Sequence, residues 1–200
     1  MAKEDMAQKI VNPSAESLAS AASAVSKKGP PPVHLWNPPF CGDLDMRIAR
    51  DGTWYYLGSP IGRAGLVRLF SGIIKREDGK YFLVTPVEKV GITVDDAPFV
   101  AQDFSVSGTG RDQVITFTTH VGDQAAAGPD HPIRVARDKT SGEPSPYVLV
   151  RADLEALIDR KSFYRLADLG VHEDHQGDRW FGVWSGGMFF PLIRSVDLEQ

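Results

Sequence analysis

The sequence predicts an α+β protein built from two diverged copies of one mostly antiparallel β unit, each with one helix. Three observations predict this fold class: short runs that alternate apolar and polar residues, an apolar stripe with helical spacing, and two motifs that recur in the same order. The chain has 200 residues, 42% hydrophobic and 24% charged, as is typical of a globular protein. We predict an arm over residues 1–32, a first unit over 33–122 and a second over 123–200.

The N-terminal segment is predicted to be a mobile arm. Residues 14–25 are rich in Ala and Ser and favour a weak helix, which the Gly-Pro-Pro-Pro run at 29–32 ends. No apolar run has the length of a signal peptide or a membrane span. The single cysteine, Cys41, cannot form an intrachain disulfide, which fits a reducing cytoplasm. Together with the lack of a long apolar run, this predicts a soluble, cytoplasmic protein that does not bind a membrane.

The first unit is predicted to be a β meander with one helix. Residues 44–48 alternate apolar and polar side chains, which indicates a half-buried strand, and Asp51-Gly52 then favours a hairpin turn. Apolar residues recur with helical spacing over residues 63–75. Asp78-Gly79 indicates a second hairpin, and a bend at Pro86 interrupts the region after it. The other predicted strand regions are 80–96, 99–106 and 113–119.

The second unit is predicted to repeat this order of elements. Small and turn-forming residues over 122–131 indicate a connection between the units. Apolar residues at helical spacing predict a short helix over 152–159. The predicted strands are 133–137, 147–150, 162–169, 179–184 and 188–193.

Two repeated motifs indicate a duplication. The Met-Arg-Ile-Ala-Arg-Asp run at 46–51 recurs as Ile-Arg-Val-Ala-Arg-Asp at 133–138, and the helical pattern at 63–70 recurs at 151–158. Two matches of different type, in the same order and at nearly the same displacement, seldom arise by chance. Arg50 and Arg137 are then expected in equivalent elements, each meeting a carboxylate, a carbonyl or the interface between the halves.

Motifs that carry chemistry are weak in this chain. The spacing between Gly72 and Gly79 does not fit a phosphate-binding loop. The His-Glu-Asp-His run at 172–175 is interpreted as a polar hairpin tip, and we predict neither a structural metal nor a cofactor. Cys41 is interpreted as a small buried hydrophobe and Ser185 as a turn residue. No catalytic residue is therefore predicted.

Long segments of the chain resemble a known family. They are WNPPFCGDLDMRIARDGTWYYLGSPIGRAGLVRLF, GKYFLVTPVEKVGITVDDAPFVA and the closing WSGG, and they extend from about Trp36 to Pro191. In these segments the chain resembles the bacterial domain of unknown function 1285 family. The resemblance implies a duplicated arrangement whose C-terminal unit is superficially like pleckstrin-homology folds. It also implies a ligand site between the units and a role in signalling with a nucleotide-like or nucleic-acid-derived ligand, but no catalytic residues.

A binding or signalling module is the leading functional prediction. Aromatic side chains near arginines and lysines can stack a base and hold an anion, and clefts between domains are a preferred location for ligands. We therefore predict a small anionic, nucleotide-like ligand between the two halves. A net charge of −4 argues against long duplex DNA as a partner. The predicted ligand-binding residues are Trp54, Ser59, Arg63, Thr85, Glu88, Lys89 and Trp184.

Two alternatives belong to other functional classes. The first is a hydrolase or transferase that uses carboxylates such as Asp45 and Glu88 with the Arg/Lys cluster. The second is a scaffold that binds a protein partner along an exposed strand edge. The sequence leaves enzyme activity open and favours binding.

Overall fold

A computed structural model describes residues 14–26 and 31–198 of the chain. Three β-sheets and three α-helices form these residues, so the predicted α+β class is confirmed. The helices are α1 (Ala15–Ser26), α2 (Ala64–Ser71) and α3 (Arg160–Ala167).

The first sheet joins two three-stranded meanders. Its strands are β1 (Phe40–Ile48), β2 (Trp54–Tyr56), β3 (Ser59–Pro60), β4 (Ile74–Glu77), β5 (Lys80–Val84) and β6 (Lys89–Val94). Their order is β3-β2-β1-β6-β5-β4, with β1 and β6 parallel at the centre and the other neighbours antiparallel. Leu44, Met46 and Ile48 are buried while their neighbours are exposed or half-buried, which confirms the predicted period of two.

The second sheet has the same topology. Its strands are β7 (Phe99–Ser107), β8 (Val114–Thr119), β9 (Gln124–Ala126), β10 (Ile133–Arg137), β11 (Pro144–Arg151) and β12 (Leu154–Ile158). Their order is β10-β11-β12-β7-β8-β9, again with the central pair, β7 and β12, parallel. The described residues therefore contain two similar β-sheet units. The likeness of the C-terminal unit to pleckstrin-homology folds stays a prediction.

The residue correspondence predicted for the repeat is wrong. Strand β1 corresponds to β7, so the stretch 46–51, on β1 and its turn, has no structural relation to 133–138, on the edge strand β10 and the turn after it. Residues 63–70 comprise the N-cap and nearly all of α2, whereas 151–158 comprise the end of β11, a turn and β12. The matches were short strand and apolar patterns, which unrelated elements share.

Both arginines of the repeated motif nevertheless have partners. Arg50 donates to Ser145 Oγ at 2.8 Å and lies 3.4 Å from Asp96, and Arg137 donates to the carbonyl of Gly142 at 3.3 Å. Both side chains are exposed. Arg50 thereby connects the first unit with strand β11 of the second.

Two neighbouring segments were assigned to the wrong type of element: the predicted helix is strand β12, and the predicted strand is mostly helix α3. The predicted helix at 152–159 is a turn followed by β12, whose burial alternates at Leu154, Ala156 and Ile158. The predicted strand at 162–169 is mostly α3, which begins after Asp159 because that side chain accepts the Ser162 N–H at 2.7 Å.

A third sheet closes the chain. Its antiparallel strands are β13 (Val171–His175), β14 (Asp178–Ser185) and β15 (Met188–Arg194). The run 172–175 was predicted as a hairpin tip, but it forms most of β13, and the tip is Gln176-Gly177. The third sheet joins the second through Ser185, whose buried hydroxyl donates to the Ala127 carbonyl at 2.7 Å and accepts the Ile115 N–H at 2.9 Å.

Helix α1 belongs to the core rather than to a mobile arm. Leu18 and Ala22 are completely buried, and α1 packs on α2. The helix itself was predicted from the Ala/Ser-rich composition, but its docking was not. The rest of the predicted arm, residues 1–13 and 27–30, lies outside the described residues.

The two sheets divide the chain earlier than predicted. The first sheet ends at Val94 and the second begins at Phe99, so the predicted boundary at 122 falls inside the second sheet, between β8 and β9. One buried apolar cluster nevertheless runs through α1, both large sheets and α3. The two units therefore share a core, and residues from both line the clefts between them.

Candidate functional site

Two cavities lie between the units on either side of helix α2. The first has a volume of about 880 Å³ and is bounded by α2 and β4 from the first unit and by β9 and the β11–β12 turn from the second. The second has a volume of about 680 Å³ and lies between β2, α2 and the ends of β7 and β8. Both volumes are within the range of small-molecule sites.

The first cavity has an excess of positive charge. Its charged lining consists of the four cationic side chains Arg68, Lys75, Arg76 and Arg151 and the two acidic side chains Asp123 and Asp153. Because the cationic side chains outnumber the acidic ones, the lining of this cavity attracts a small anion.

Arg151 is the most firmly held of these cations. Its guanidinium donates to Asp123 at 2.5 Å and to the carbonyl of Ser71 at 2.6 Å, and it lies 4.8 Å from the centre of the Phe99 ring. Since Ser71 ends α2, this side chain ties the second unit to the first. Lys75 is also held, donating to the Trp36 carbonyl at 3.0 Å and lying 2.8 Å from Glu77.

Arg68 differs from these because no described side chain pairs with it. It lies on the exposed face of α2, whose opposite face buries Phe70, and it lines both cavities. Its guanidinium lies beside Gly122, and a side chain at that position would begin 3.6 Å from the nearest guanidinium nitrogen. Arg68 therefore presents its donors to the space between the units.

The second cavity is neutral apart from Arg68. Polar, uncharged side chains of Thr53, Gln102, Thr118 and His120 share its wall with apolar ones. Burial lowers the pKa of His120 below its usual 6.5. Its Nδ1 accepts the Val100 N–H at 3.2 Å, a bond that requires this nitrogen to be unprotonated. His120 is therefore uncharged at neutral pH.

We expect His120 to make the protein less stable in acid. Because its pKa is lower in the folded state than the usual 6.5, its contribution to stability is complete above about pH 6.5 and is lost as the pH falls below that value. The free energy of unfolding should decrease by at most about 1.4 kcal/mol per pH unit from this group. Urea unfolding at a series of pH values measures the slope.

The variant His120→Asn tests the assignment, since its side-chain oxygen can still accept the Val100 N–H. It should lose this contribution to the slope below pH 6.5, whereas His172→Asn, at an exposed position, should keep it. Equal slopes in all three proteins would contradict the prediction.

Of the seven predicted site residues, Trp54 alone lines either of the two cavities. Trp54 is 1% exposed and stacks on Phe70 with ring centres 6.2 Å apart, so it is mainly a core residue. Ser59 and Arg63 are exposed, on β3 and just before α2. Trp184 is in the third sheet, where it donates to Glu173 at 3.2 Å and packs under Arg111.

Of the predicted residues Thr85, Glu88 and Lys89, the first two lie in the hairpin turn between β5 and β6, and Lys89 is the first residue of β6. The buried Thr85 hydroxyl accepts the N–H of Glu88 at 3.2 Å, which stabilises the turn. Burial raises the pKa of Glu88, and Lys89 pairs with Glu77 at 2.7 Å. These contacts account for Thr85 and Lys89 without a ligand.

The remaining candidates for chemistry are separated from the cavities. Cys41 is exposed, which corrects its interpretation as a buried hydrophobe. His172 and His175 are bonded or packed to different partners, Ser195 and Phe189. Within the described ranges, no group of three or more His, Cys, Asp or Glu side chains is placed to hold a metal ion. Asp45, like Glu88, lines neither cavity.

Sequence reasoning missed Arg68, Arg76 and Arg151. Arg68 was visible as a basic residue on the polar face of a predicted helix, but many such residues are merely solvated. Arg151 is 80 positions from its partner Ser71, and no local pattern indicates that contact.

Comparison with known proteins agrees with the division seen in the sheets. Residues 31–97 match the model of the domain of unknown function DUF1285, N-terminal domain, and residues 98–192 match the protein of unknown function DUF1285, C-terminal domain. The chain belongs to the DUF1285 family. The two domain models of this DUF1285 protein meet where the first sheet gives way to the second.

Two solved structures are similar to this DUF1285 chain. A DUF1285 family protein from Silicibacter pomeroyi DSS-3 is 66% identical, with a TM-score of 0.84 over 92% of this chain and 98% of that one. A DUF1285 family protein from Shewanella baltica OS155 is 27% identical, with a TM-score of 0.51 over 62% of this chain and 91% of that one. No curated protein matches. Within the described part of the chain, no helix has the length and apolar composition needed to cross a membrane.

Proposed function

We propose that this protein is a ligand-binding or signalling module that holds a small anionic, nucleotide-like ligand between its two units. The observation that carries the proposal is the first cavity, where four cationic and two acidic side chains from both units surround about 880 Å³. A cavity of this size accommodates a ligand as large as a nucleotide. Nucleotide-like molecules are therefore the first class to test.

Arg68 and Arg76 are the two cations of this cavity without an ion pair among the described residues, and Arg68, which is more exposed than Arg76, is the better suited to bind the anion. Arg151 is already paired with Asp123, and Lys75 with Glu77. Arg68 has no such carboxylate partner among the described residues, so its planar guanidinium keeps its donors for a phosphate or carboxylate. The charge-assisted bonds that it would form are about twice as strong as neutral ones.

The proposed signalling role follows from where the cavity lies. Its walls are α2 and β4 of one unit and β9 and the β11–β12 turn of the other. A ligand bound there contacts both units at once and favours the arrangement in which both walls reach it. Occupancy is thereby linked to the contacts between these two walls, such as that of Arg151 with the Ser71 carbonyl.

A thermal-shift screen of nucleotides and other phosphorylated metabolites at millimolar concentration tests the proposal. A ligand present at 100 times its Kd adds about 2.7 kcal/mol to the free energy of unfolding, so we expect the Tm to rise by several degrees for at least one compound. Arg68→Gln should abolish most of this rise because it removes the charge and the bidentate donors.

Arg179→Gln is the matched control, since Arg179 is an exposed cation of the third sheet that lines neither cavity. It should leave the ligand-induced rise intact. Absence of any rise across the screen, or an equal loss in the two variants, would contradict the proposal. The hydrolase alternative has no comparable support, because its carboxylates, Asp45 and Glu88, do not meet in either cavity.

A further inference from the structure

The two cavities are neighbours along one helix. Gly65 and Arg68, which are three residues apart on α2, line both of them. On the opposite wall Gly122 lines the second cavity and the next residue, Asp123, lines the first. The cavities therefore adjoin on both walls, with the Arg68 side chain at their junction.

The two cavities differ in charge. Besides Arg68, the first cavity has three further cationic side chains, whereas the second has none and its other polar side chains are neutral. Since an ionic group is costly to move from water into a neutral cleft, the second cavity favours an uncharged group.

The second cavity also has hydrogen-bonding groups to spare. The side chains of Thr118 and Gln102 make no hydrogen bond with another described residue. Within the same wall, Trp54 Nε1 and His120 Nε2 are buried without a partner among the described residues. Of these four groups, the exposed Gln102 and the half-buried Thr118 can be reached by a ligand, and they can bond to its hydroxyl or carbonyl groups.

We infer that the two cavities form one elongated site, whose ligand carries an oxyanion such as phosphate at one end and an uncharged body rich in hydroxyl or carbonyl groups at the other. The anionic end lies with Arg68, Arg76 and Arg151, and the uncharged body lies along Thr118 and Gln102. This inference rests on the proposed function, because it assigns the anion to the same cavity. A phosphorylated sugar has the required chemistry.

Isothermal titration calorimetry with inorganic phosphate, ribose and ribose 5-phosphate tests the inference. Ribose 5-phosphate should bind about tenfold more tightly than phosphate, because its sugar adds neutral hydrogen bonds in the second cavity. Ribose alone should bind more weakly than either. Arg68→Gln should weaken the binding of both phosphate probes.

Thr118→Val separates the two ends of the site. It removes one hydroxyl from the second cavity while keeping the shape of the side chain, so the affinity for ribose 5-phosphate should fall about three- to tenfold and that for phosphate should not change. Thr116→Val is the matched control, because Thr116 is two residues earlier on β8 and lines neither cavity. Gln102→Ala, at an exposed position, provides a second variant that should act in the same way.

The outcomes distinguish the inference from the proposed function. If phosphate binds in an Arg68-dependent way but ribose 5-phosphate binds no more tightly, and Thr118→Val behaves like Thr116→Val, the elongated site is wrong and the anion site remains. If neither phosphate probe binds, both are wrong. A gain in affinity that Thr118→Val and Gln102→Ala reduce supports the inference.

Discussion

Replacing Trp54 by alanine is expected to lower the free energy of unfolding by about 3 to 5 kcal/mol. The side chain is 1% exposed and stacks on Phe70 of α2, so the substitution leaves a large cavity between the first sheet and that helix. Its indole N–H makes no hydrogen bond within the described residues, so nearly all of the loss comes from packing. Trp54→Phe, which keeps a ring and removes this donor, should cost less than Trp54→Ala.

Urea unfolding followed by circular dichroism measures this difference. Trp180→Ala is the matched control, because Trp180 is only half-buried and packs beside Arg194 in the third sheet. It should lower the free energy of unfolding by much less than Trp54→Ala. Equal losses in the two alanine variants would mean that Trp54 does not anchor α2 to the first sheet.

Ser185→Ala is expected to have the second largest effect. The buried hydroxyl bonds to the Ala127 carbonyl at 2.7 Å and to the Ile115 N–H at 2.9 Å, and alanine leaves both backbone groups buried without this partner. Each unsatisfied group costs about 1 to 3 kcal/mol. The loss should also loosen the third sheet, because these two bonds hold the end of β14 against the second sheet.

Hydrogen exchange of the amides on β14 and β15, together with the free energy of unfolding, measures both effects. Ser107→Ala is the control, since Ser107 is exposed on β7 and makes no side-chain hydrogen bond with a described residue. It should change the free energy of unfolding by no more than about 0.5 kcal/mol and should leave the exchange rates of these amides nearly unchanged. A neutral Ser185→Ala variant would show that the third sheet is held by other contacts, such as the Gln113 side chain on the Trp184 carbonyl at 2.8 Å.

Strands with strong local signals were predicted correctly. The alternation at 44–48 and the Asp78-Gly79 turn act through nearest neighbours: Asp78 and Gly79 have φ of 49° and 77°, the left-handed pair that a two-residue hairpin needs. The helix predicted at 63–75 ends at Ser71, and Ile74 begins β4. The prediction was too long because the apolar residues continue from the helix into the strand.

The segment from 152 to 169 was assigned wrongly because its apolar spacing is ambiguous. Leu154, Leu157 and Ile158 fit a helix, while Leu154, Ala156 and Ile158 fit a strand. Pairing with β7 and β11 decides for the strand. Asp159 was the overlooked local signal. An Asp at this position can act as an N-cap by accepting the N–H of the residue three positions later, Ser162, which indicates a helix that starts at Arg160.

The predicted ligand residues illustrate a different difficulty. Thr85, Glu88 and Lys89 were chosen because polar residues interrupt an apolar region, yet they form a turn whose own backbone uses the Thr85 hydroxyl. The two cavities also lie between the halves, but Trp54 is the one predicted residue that lines either of them. A ligand site between the halves therefore stays a prediction.

The sequence by itself determined the α+β class, most strands of the three sheets, the hairpin turns and the family resemblance. These features depend on contacts between residues close in the chain, or on long matched segments. Only the tertiary structure decided the parallel pairing of β1 with β6 and of β7 with β12, the docking of α1 on α2, and the contact of Arg151 with Ser71. Those contacts join residues tens of positions apart, and the free energy that selects them comes from burying a shared core, which no local pattern records.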